Sequence, residues 1–322
     1  PALDSYTFTI KGQRFCTHVN EENIKEGKLG CAWRDEYYSI IDNAINECYS
    51  TEYDDAVVIM EPTGREDFKA NLMALRVEHD TSTIISPKII TKAEFDQPSS
   101  IAVAGRITGR ADYIGEFKVY DSYTGKYYWC MPIGDVGANL GRIMKEKLGG
   151  VAPAGPNDSK ALGGGLARSV IEAKWHWKDS KLEELSKKGL NPITFEAGTG
   201  LQIRDHRTLQ DPDNVTDWSY LGHSMSFDLC KREIRDQVMA PQLFKRINDY
   251  YFDIRQKQTD TILAKRLTGK DPIWTKAVCK IKDPAVNNET TKAQRNFVIR
   301  VDVWATPYSE TVTLVFTTKA QV

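Results

Sequence analysis

The chain has 322 residues, of which 41% are hydrophobic and 27% charged, close to the averages of soluble globular proteins and long enough for one large domain or two ordinary ones. Its 43 basic and 44 acidic residues give a net charge of -1, which supplies none of the cationic excess that non-specific binding to phosphate backbones needs, so nucleic acid is not an expected partner. No apolar run approaches the roughly 20 residues of a membrane-spanning helix, and the start lacks the basic-then-apolar layout of a signal peptide; no direct membrane insertion and synthesis in a cytosol are expected.

In chain order, residues 5–10 alternate, with Tyr6, Phe8 and Ile10 on one side and Ser5, Thr7 and Thr9 on the other. That period predicts a strand, ended by Lys11-Gly12-Gln13. The polar stretch from His18 to Lys28 reads as a linker or an irregular extension, and a helix is expected from about Asp35 to Tyr49. The apolar run Ala56 to Met60, closed by Glu61-Pro62, suits a strand buried on both faces. A helix over about Glu66 to Val77 and a second strand in STIISPKII complete a strand-helix-strand pattern, which implies an α/β domain with a parallel or mixed sheet.

Residues 101–131 read as an insertion of short strands, with the turn Ser122-Tyr123-Thr124-Gly125 joining two of them. A helix is expected near Asn139 to Leu148, stopped by Gly149, and another where Ser180 and Glu183 have the spacing of a capping box. From Phe227 to Leu267 the pattern is helical, divided at Pro241 because proline lacks the amide donor. Leu243, Phe244, Ile247, Tyr250, Tyr251 and Ile254 make the expected apolar stripe of its second part, and RQKQTD, from Arg255 to Asp260, reads as polar all round. The end is β: WTKAVCKI, NFVIRVDVW and TVTLVFTT, the last alternating Val312, Leu314 and Phe316 with Thr311, Thr313 and Thr317. The expected fold is α/β, or α+β overall: a mixed sheet flanked by helices, a small β insertion and a C-terminal β segment. Its parts are an N-terminal strand arm and linker over 1–28, a core over 29–308 with a β insertion near 98–131, and a C-terminal strand arm over 309–322.

Residues that suggest chemistry mostly lose their case on spacing. Gly134, Gly137 and Gly141 precede the expected helix, but their spacing matches neither phosphate-loop pattern. GHSMS around Ser224 invites a nucleophile-elbow reading, the basis of an alternative α/β hydrolase, yet its last residue is Ser226 instead of glycine and no histidine follows Ser224. On the plainer reading Ser224 or Ser226 caps a helix. His176, between Trp175 and Trp177, reads as packing. No catalytic constellation, cofactor site or metal-ligand spacing emerges, and an enzyme is not expected. Six cysteines, Cys16, Cys31, Cys48, Cys130, Cys230 and Cys279, are scattered without a C-x-x-C pair. They read as free thiols in a reducing cytosol or as disulfides between subunits after release into an oxidising medium.

Several segments in order resemble the sheath proteins of contractile phage tails, R-type bacteriocins and related injection systems. VAPAGPND followed by KALGGGLAR resembles the family's APAG-N loop and the segment after it. DSKLEELSKKGLNPITFEAGTGLQIRDHRTL resembles its helix, turn and strand, with Asp205 and His206 standing where the family has Trp and Gly. DWSYLGHSMSFDLCKREIRDQV and FVIRVDVWATPYSETVTLVF resemble a later helix and the terminal strands. The resemblance covers roughly residues 54 to 322. It implies a structural subunit of a virion tail, made in a host bacterial cytoplasm, that polymerises as a homo-oligomer in rings around a tail tube protein and meets baseplate and tail terminator proteins. It also implies strand exchange between copies through Tyr6, Phe8, Ile10, Val312, Leu314 and Phe316. Lys231, Arg232 and Arg235, clustered on one predicted helix, are the candidate contact with an acidic tube surface.

Overall fold

The computed structural model describes residues 7–10, 13–16, 43, 58–60, 72–74, 83–88, 90–103, 109–155, 170–196, 200–210 and 213–308. It opens with a hairpin of β1 (Thr7–Ile10) and β2 (Gln13–Cys16), paired antiparallel from Thr7↔Cys16 to Ile10↔Gln13. Gln13 therefore begins a second strand instead of ending the first; the two residues between, Lys11 and Gly12, have the length and glycine content of the commonest hairpin loops.

The strands that follow are β3 (Val58–Met60), β4 (Thr83–Lys88) and β5 (Arg110–Ile114), with the short helix α1 (Lys92–Asp96) ahead of β5. Next come β6 (Phe117–Asp121), β7 (Lys126–Cys130), helix α2 (Ile133–Lys147), β8 (Val170–Ala173), helix α3 (Asp179–Lys187), β9 (Leu190–Glu196) and β10 (Gly200–Ile203). A five-stranded mixed sheet has the order β10-β9-β5-β4-β3, parallel throughout except for the antiparallel β10. The expected strand-helix-strand unit is visible in the parallel β3 and β4 and in the helical residues 72–74 between them. β3 is an edge strand, however, and only half-buried, with Met60 exposed.

Within the stretch 98–131, β5 is the middle strand of this sheet, and all five of its residues are buried. Ala111 and Tyr113 face a core formed with Val136 and Leu140 of α2 and with Leu221 and Met225. Ile114 faces the opposite core, with Leu182 and Leu185 of α3 and Trp177. A strand covered on both faces has no solvent side to spend on polar residues, and its charged side chains pair with each other: Arg110 donates to both Asp112 carboxylate oxygens at 3.0 and 2.8 Å. The β6–β7 hairpin stands outside the main sheet and forms the three-stranded β7-β6-β8 sheet. Its turn is the expected one: the Asp121 carboxylate accepts from the Tyr123 amide at 2.9 Å and Thr124 Oγ1 at 2.6 Å.

Two helix boundaries differ from expectation. α2 begins at Ile133, so Gly134, Gly137 and Gly141 lie inside it. α3 begins at Asp179 with Lys178 as its N-cap and no side-chain cap, so Ser180 is already helical and Glu183 pairs with Lys187 at 2.8 Å. The chain then enters α4 (Leu221–Ile234), loosens into a π-helical turn at Arg235–Met239, tightens into a 3₁₀ turn at Ala240–Gln242 and resumes as α5 (Asp249–Leu267). Pro241, whose ring cannot continue an α-helical ladder, is the cause of the break. β11 (Trp274–Cys279), the short α6 (Glu289–Ala293) and β12 (Val301–Ala305) follow, and β11 and β12 form a two-stranded antiparallel sheet packed on α4 and α5.

The expected stripe of the second helix is broken up. Leu243 and Phe244 precede α5 and are exposed, as is Tyr250, because Asn248 starts the helix by accepting from the Tyr251 amide at 3.2 Å. The segment read as polar all round is not solvated either: Arg255 and Thr259 are buried.

Candidate assembly edge

Among the described residues the two-stranded β11–β12 sheet has no further strand on either side, and its two outer edges differ. The antiparallel register pairs Val303 with Ala277 and Val301 with Cys279, and the next amide, Lys280, donates to the Arg300 carbonyl at 2.8 Å. In such a ladder main-chain groups point alternately toward and away from the partner. Arg300, Asp302 and Trp304 therefore bond inward, and Val301, Val303 and Ala305 present their amides and carbonyls outward. The Ala305 amide confirms the parity by donating to the Asp217 carboxylate at 3.4 Å on the outer side.

On the β11 side the Cys279 carbonyl accepts from Gln256 Nε2 of α5 at 3.1 Å, which closes that edge with a helix side chain. On the β12 side, among the described residues, no strand is paired. Instead a groove of about 660 Å³ runs beside it, with Trp218, Phe227 and Ile234 on one wall and Val301 and Val303 on the other. Trp218 packs on Phe227 at 4.7 Å between ring centroids. An open strand edge over an apolar slot is the pair of features that β-strand addition uses: the ladder binds main chain and the slot takes alternate side chains.

The sequence-predicted residues distribute as follows. Lys231 and Arg235 line the groove; the Lys231 ammonium lies 5.1 Å over the Trp218 ring, and Arg235 pairs with Asp236 at 3.0 Å. Arg232 is half-buried and is not part of that lining. Phe8 and Ile10 are in β1, whose one edge is taken by β2. Tyr6, Val312, Leu314 and Phe316 lie outside the described residues, as do Cys31 and Cys48. Cys16 ends β2. Cys130, Cys230 and Cys279 are free thiols. Burial pushes the Cys230 thiol up to about 11 and raises Cys279 as well, which disfavours the thiolate form of each.

The GHSMS segment is the beginning of α4. Tyr220 is the N-cap, without a side-chain bond, so neither Ser224 nor Ser226 caps the helix; both hydroxyls are buried within its first turns. Ser224 is 0% exposed, which leaves a substrate no approach, and His223 Nε2 is engaged with the Thr306 carbonyl at 2.9 Å. His176 is exposed, while the tryptophans beside it pack on Phe95 at 4.9 and 4.6 Å. Among the described residues no cluster of His, Cys, Asp and Glu has the arrangement of a metal site, and no helix is long and apolar enough to cross a membrane. What sequence reasoning missed is the groove, because its wall residues Trp218 and Ile234 meet Val303 from far along the chain.

No protein-family model matches the chain, and no curated protein matches it in sequence. Solved structures do match in fold. A chain of the extracellular contractile injection system PVC sheath complex, in its contracted state, superposes with a TM-score of 0.65 at 16% identity over 85% of this chain and 74% of that one. A chain of the anti-feeding prophage helical sheath, also contracted, gives 0.62 at 17% over 83% and 71%. A chain of the contracted anti-feeding prophage baseplate gives 0.66 at 13% over 90% and 77%. At these identities the likeness is one of fold, shared with proteins of contractile sheaths and their baseplates.

Proposed function

We propose that the chain is the structural subunit of a contractile tail sheath, stacking as rings around a tail tube and shortening collectively to drive that tube through a target envelope. The observation that carries the reading is the outward-facing ladder of Val301 and Val303 over an apolar groove, on a fold shared with sheath assemblies. The occupant is a terminal segment of a neighbouring copy. In residues 311–317 Val312, Leu314 and Phe316 fall on one side and Thr311, Thr313, Val315 and Thr317 on the other, a period-two pattern that sends the all-apolar face into a slot and the threonine-rich face to solvent. A donor edge on one copy and an acceptor edge on the next make a heterologous contact, which propagates as a helical array instead of closing on itself. Neighbouring copies, a tube protein, and the baseplate and terminator proteins at the two ends of the array are the partners, in a tail assembled from subunits made in a bacterial cytoplasm. Disulfides between copies would form only after release from that reducing compartment.

Val303→Pro is the test. The Val303 amide points away from β11, so proline there spares the internal ladder and removes a donor only from the acceptor edge. The variant is expected to fold and melt as the wild-type monomer does while forming no tubular polymers by electron microscopy. Polymers at wild-type yield would end the strand-exchange reading.

A second reading, a baseplate-proximal component of the same fold, is favoured by the likeness to chains of the prophage baseplate. Copy number in purified particles separates the two: many copies per particle for a sheath, a single ring for a baseplate part.

A further inference from the structure

The loop between the 3₁₀ turn and α5 sets two adjacent apolar side chains, Leu243 and Phe244, in solvent away from the groove. Phe244 is 105% exposed and Leu243 67%. Phe244 also has φ 60, in the left-handed region that a bulky side chain rarely occupies. An aromatic ring in solvent on a strained backbone is doubly unfavourable for the isolated subunit, and such strain persists only where surrounding contacts over-determine it.

Those contacts are present. Arg255 of α5, 6% exposed, reaches under the loop, donating to Gln242 Oε1 at 3.0 Å, the Pro241 carbonyl at 2.8 Å and Gln258 Oε1 at 2.7 Å. Gln242, also buried, donates to the Arg246 carbonyl at 3.2 Å, and the Lys245 amide donates to the Gln242 carbonyl at 3.0 Å. The loop is thus pinned from inside while its tip is left bare. That is the preorganisation that lowers the ordering cost of binding and marks a hot-spot anchor. Lys245 and Arg246 follow the knob, both exposed, and neither has an ion pair among the described residues. The collar is cationic, so the surface it meets is acidic. The groove beside β12 is a poor receptor for it, because Lys231 and Arg235 outnumber Asp217, the one carboxylate in its lining.

We propose that Leu243 and Phe244, with the collar of Lys245 and Arg246, form a plug that seats in an apolar pocket on the acidic surface of a different protein. Taking that protein to be the enclosed tube rests on the sheath reading; the built and strained loop does not.

The test uses the full-length chain, the tube subunit of the same particle and three variants: Leu243→Ser with Phe244→Ser, Lys245→Glu with Arg246→Glu, and Phe244→Gly. Sheath polymerisation alone is read by electron microscopy, and tube binding by co-sedimentation with preformed tubes. All three variants are expected to polymerise alone as wild type does and to bind tubes at least about tenfold more weakly. Phe244→Gly, which removes the strain together with the ring, is expected to melt no lower than wild type, so its loss of binding cannot be a loss of folding. Undiminished tube binding by the variants overturns the plug while leaving the sheath reading intact. Loss of polymerisation in the first two variants also overturns it, by making the loop a contact between copies. A wild-type chain that polymerises but ignores tubes overturns the partner assignment and the sheath reading together.

Discussion

Tyr308 is wedged between two histidines. Its ring stacks on His223 at 4.3 Å and meets His206 edge-on at 4.7 Å, and its hydroxyl lies where a Cβ on Gly222 would come within 2.4 Å, with the Val151 carbonyl oxygen at 2.8 Å on the same side. Gly222→Ala must therefore displace either a packed ring or backbone, at a cost of about 1–3 kcal/mol. Because Tyr308 Oη has no hydrogen-bond partner among the described residues, Tyr308→Phe is expected to be neutral or slightly stabilising and to recover part of the Gly222→Ala loss. A urea-unfolding double-mutant cycle would show that coupling. Gly137 makes the contrast: its added Cβ would meet only the Met60 side-chain end, which is exposed and flexible.

His223 gives this cluster a pH dependence. Burial holds its pKa below the ordinary histidine value, against the opposing pull of the Thr306 carbonyl and of Asp217; Tyr220, Phe227 and Tyr308 supply the ring contacts. With the folded pKa depressed, the unfolded chain binds the proton more readily. The contribution is complete above about pH 6.5, the unfolded value, and is lost as pH falls toward the folded one. Stability measured against pH should decline over that window in the wild type and flatten in His223→Gln.

Among the elements, α1 is specified most fully by its own residues. Thr91 Oγ1 accepts from the Glu94 amide at 3.2 Å and Glu94 Oε2 accepts from the Thr91 amide at 2.8 Å, while Ile90 and Phe95 on either side join one apolar cluster. That is a capping box with a hydrophobic staple, and Thr91→Ala should cost about 1 kcal/mol in chemical denaturation. The same signature at Ser180 and Glu183 misleads: the helix opens two residues before the expected cap, with Lys178 as N-cap and Asp179 as its first residue, just after the buried Trp177. Spacing alone does not say which nearby residue opens a helix.

Period-two strands and proline breaks were legible for a like reason: each is a local constraint. β11, β12, the Ser122–Gly125 turn and the interruption at Pro241 all follow from residues within one short window. The apolar spacing of Leu243, Phe244 and Tyr250 carried no comparable information, since periodicity reports a face and not what covers it. Of the candidate site, the basic residues of α4 were visible; the groove was not, because elements far apart in the chain, from Trp218 through α4 to β11 and β12, supply its walls.

At the scale of the whole molecule the described chain holds three apolar clusters, one on each face of the five-stranded sheet and a third where α4 and α5 meet β11 and β12. The first two are enclosed by helices and strands of this chain. The third is bordered by Ile299, Val301 and Val303, all only half-buried, at the lip of the groove.

If a neighbouring copy fills the groove as proposed, the last layer of this core comes from another molecule and its stability is set partly by mass action. Each occupied groove adds free energy that grows with the logarithm of subunit concentration. The melting temperature of the wild-type chain should thus climb as it is concentrated, and that of Val303→Pro should stay constant, a difference that scanning calorimetry over a dilution series would reveal. Thermostability in such a subunit is partly a reading of how many neighbours it has.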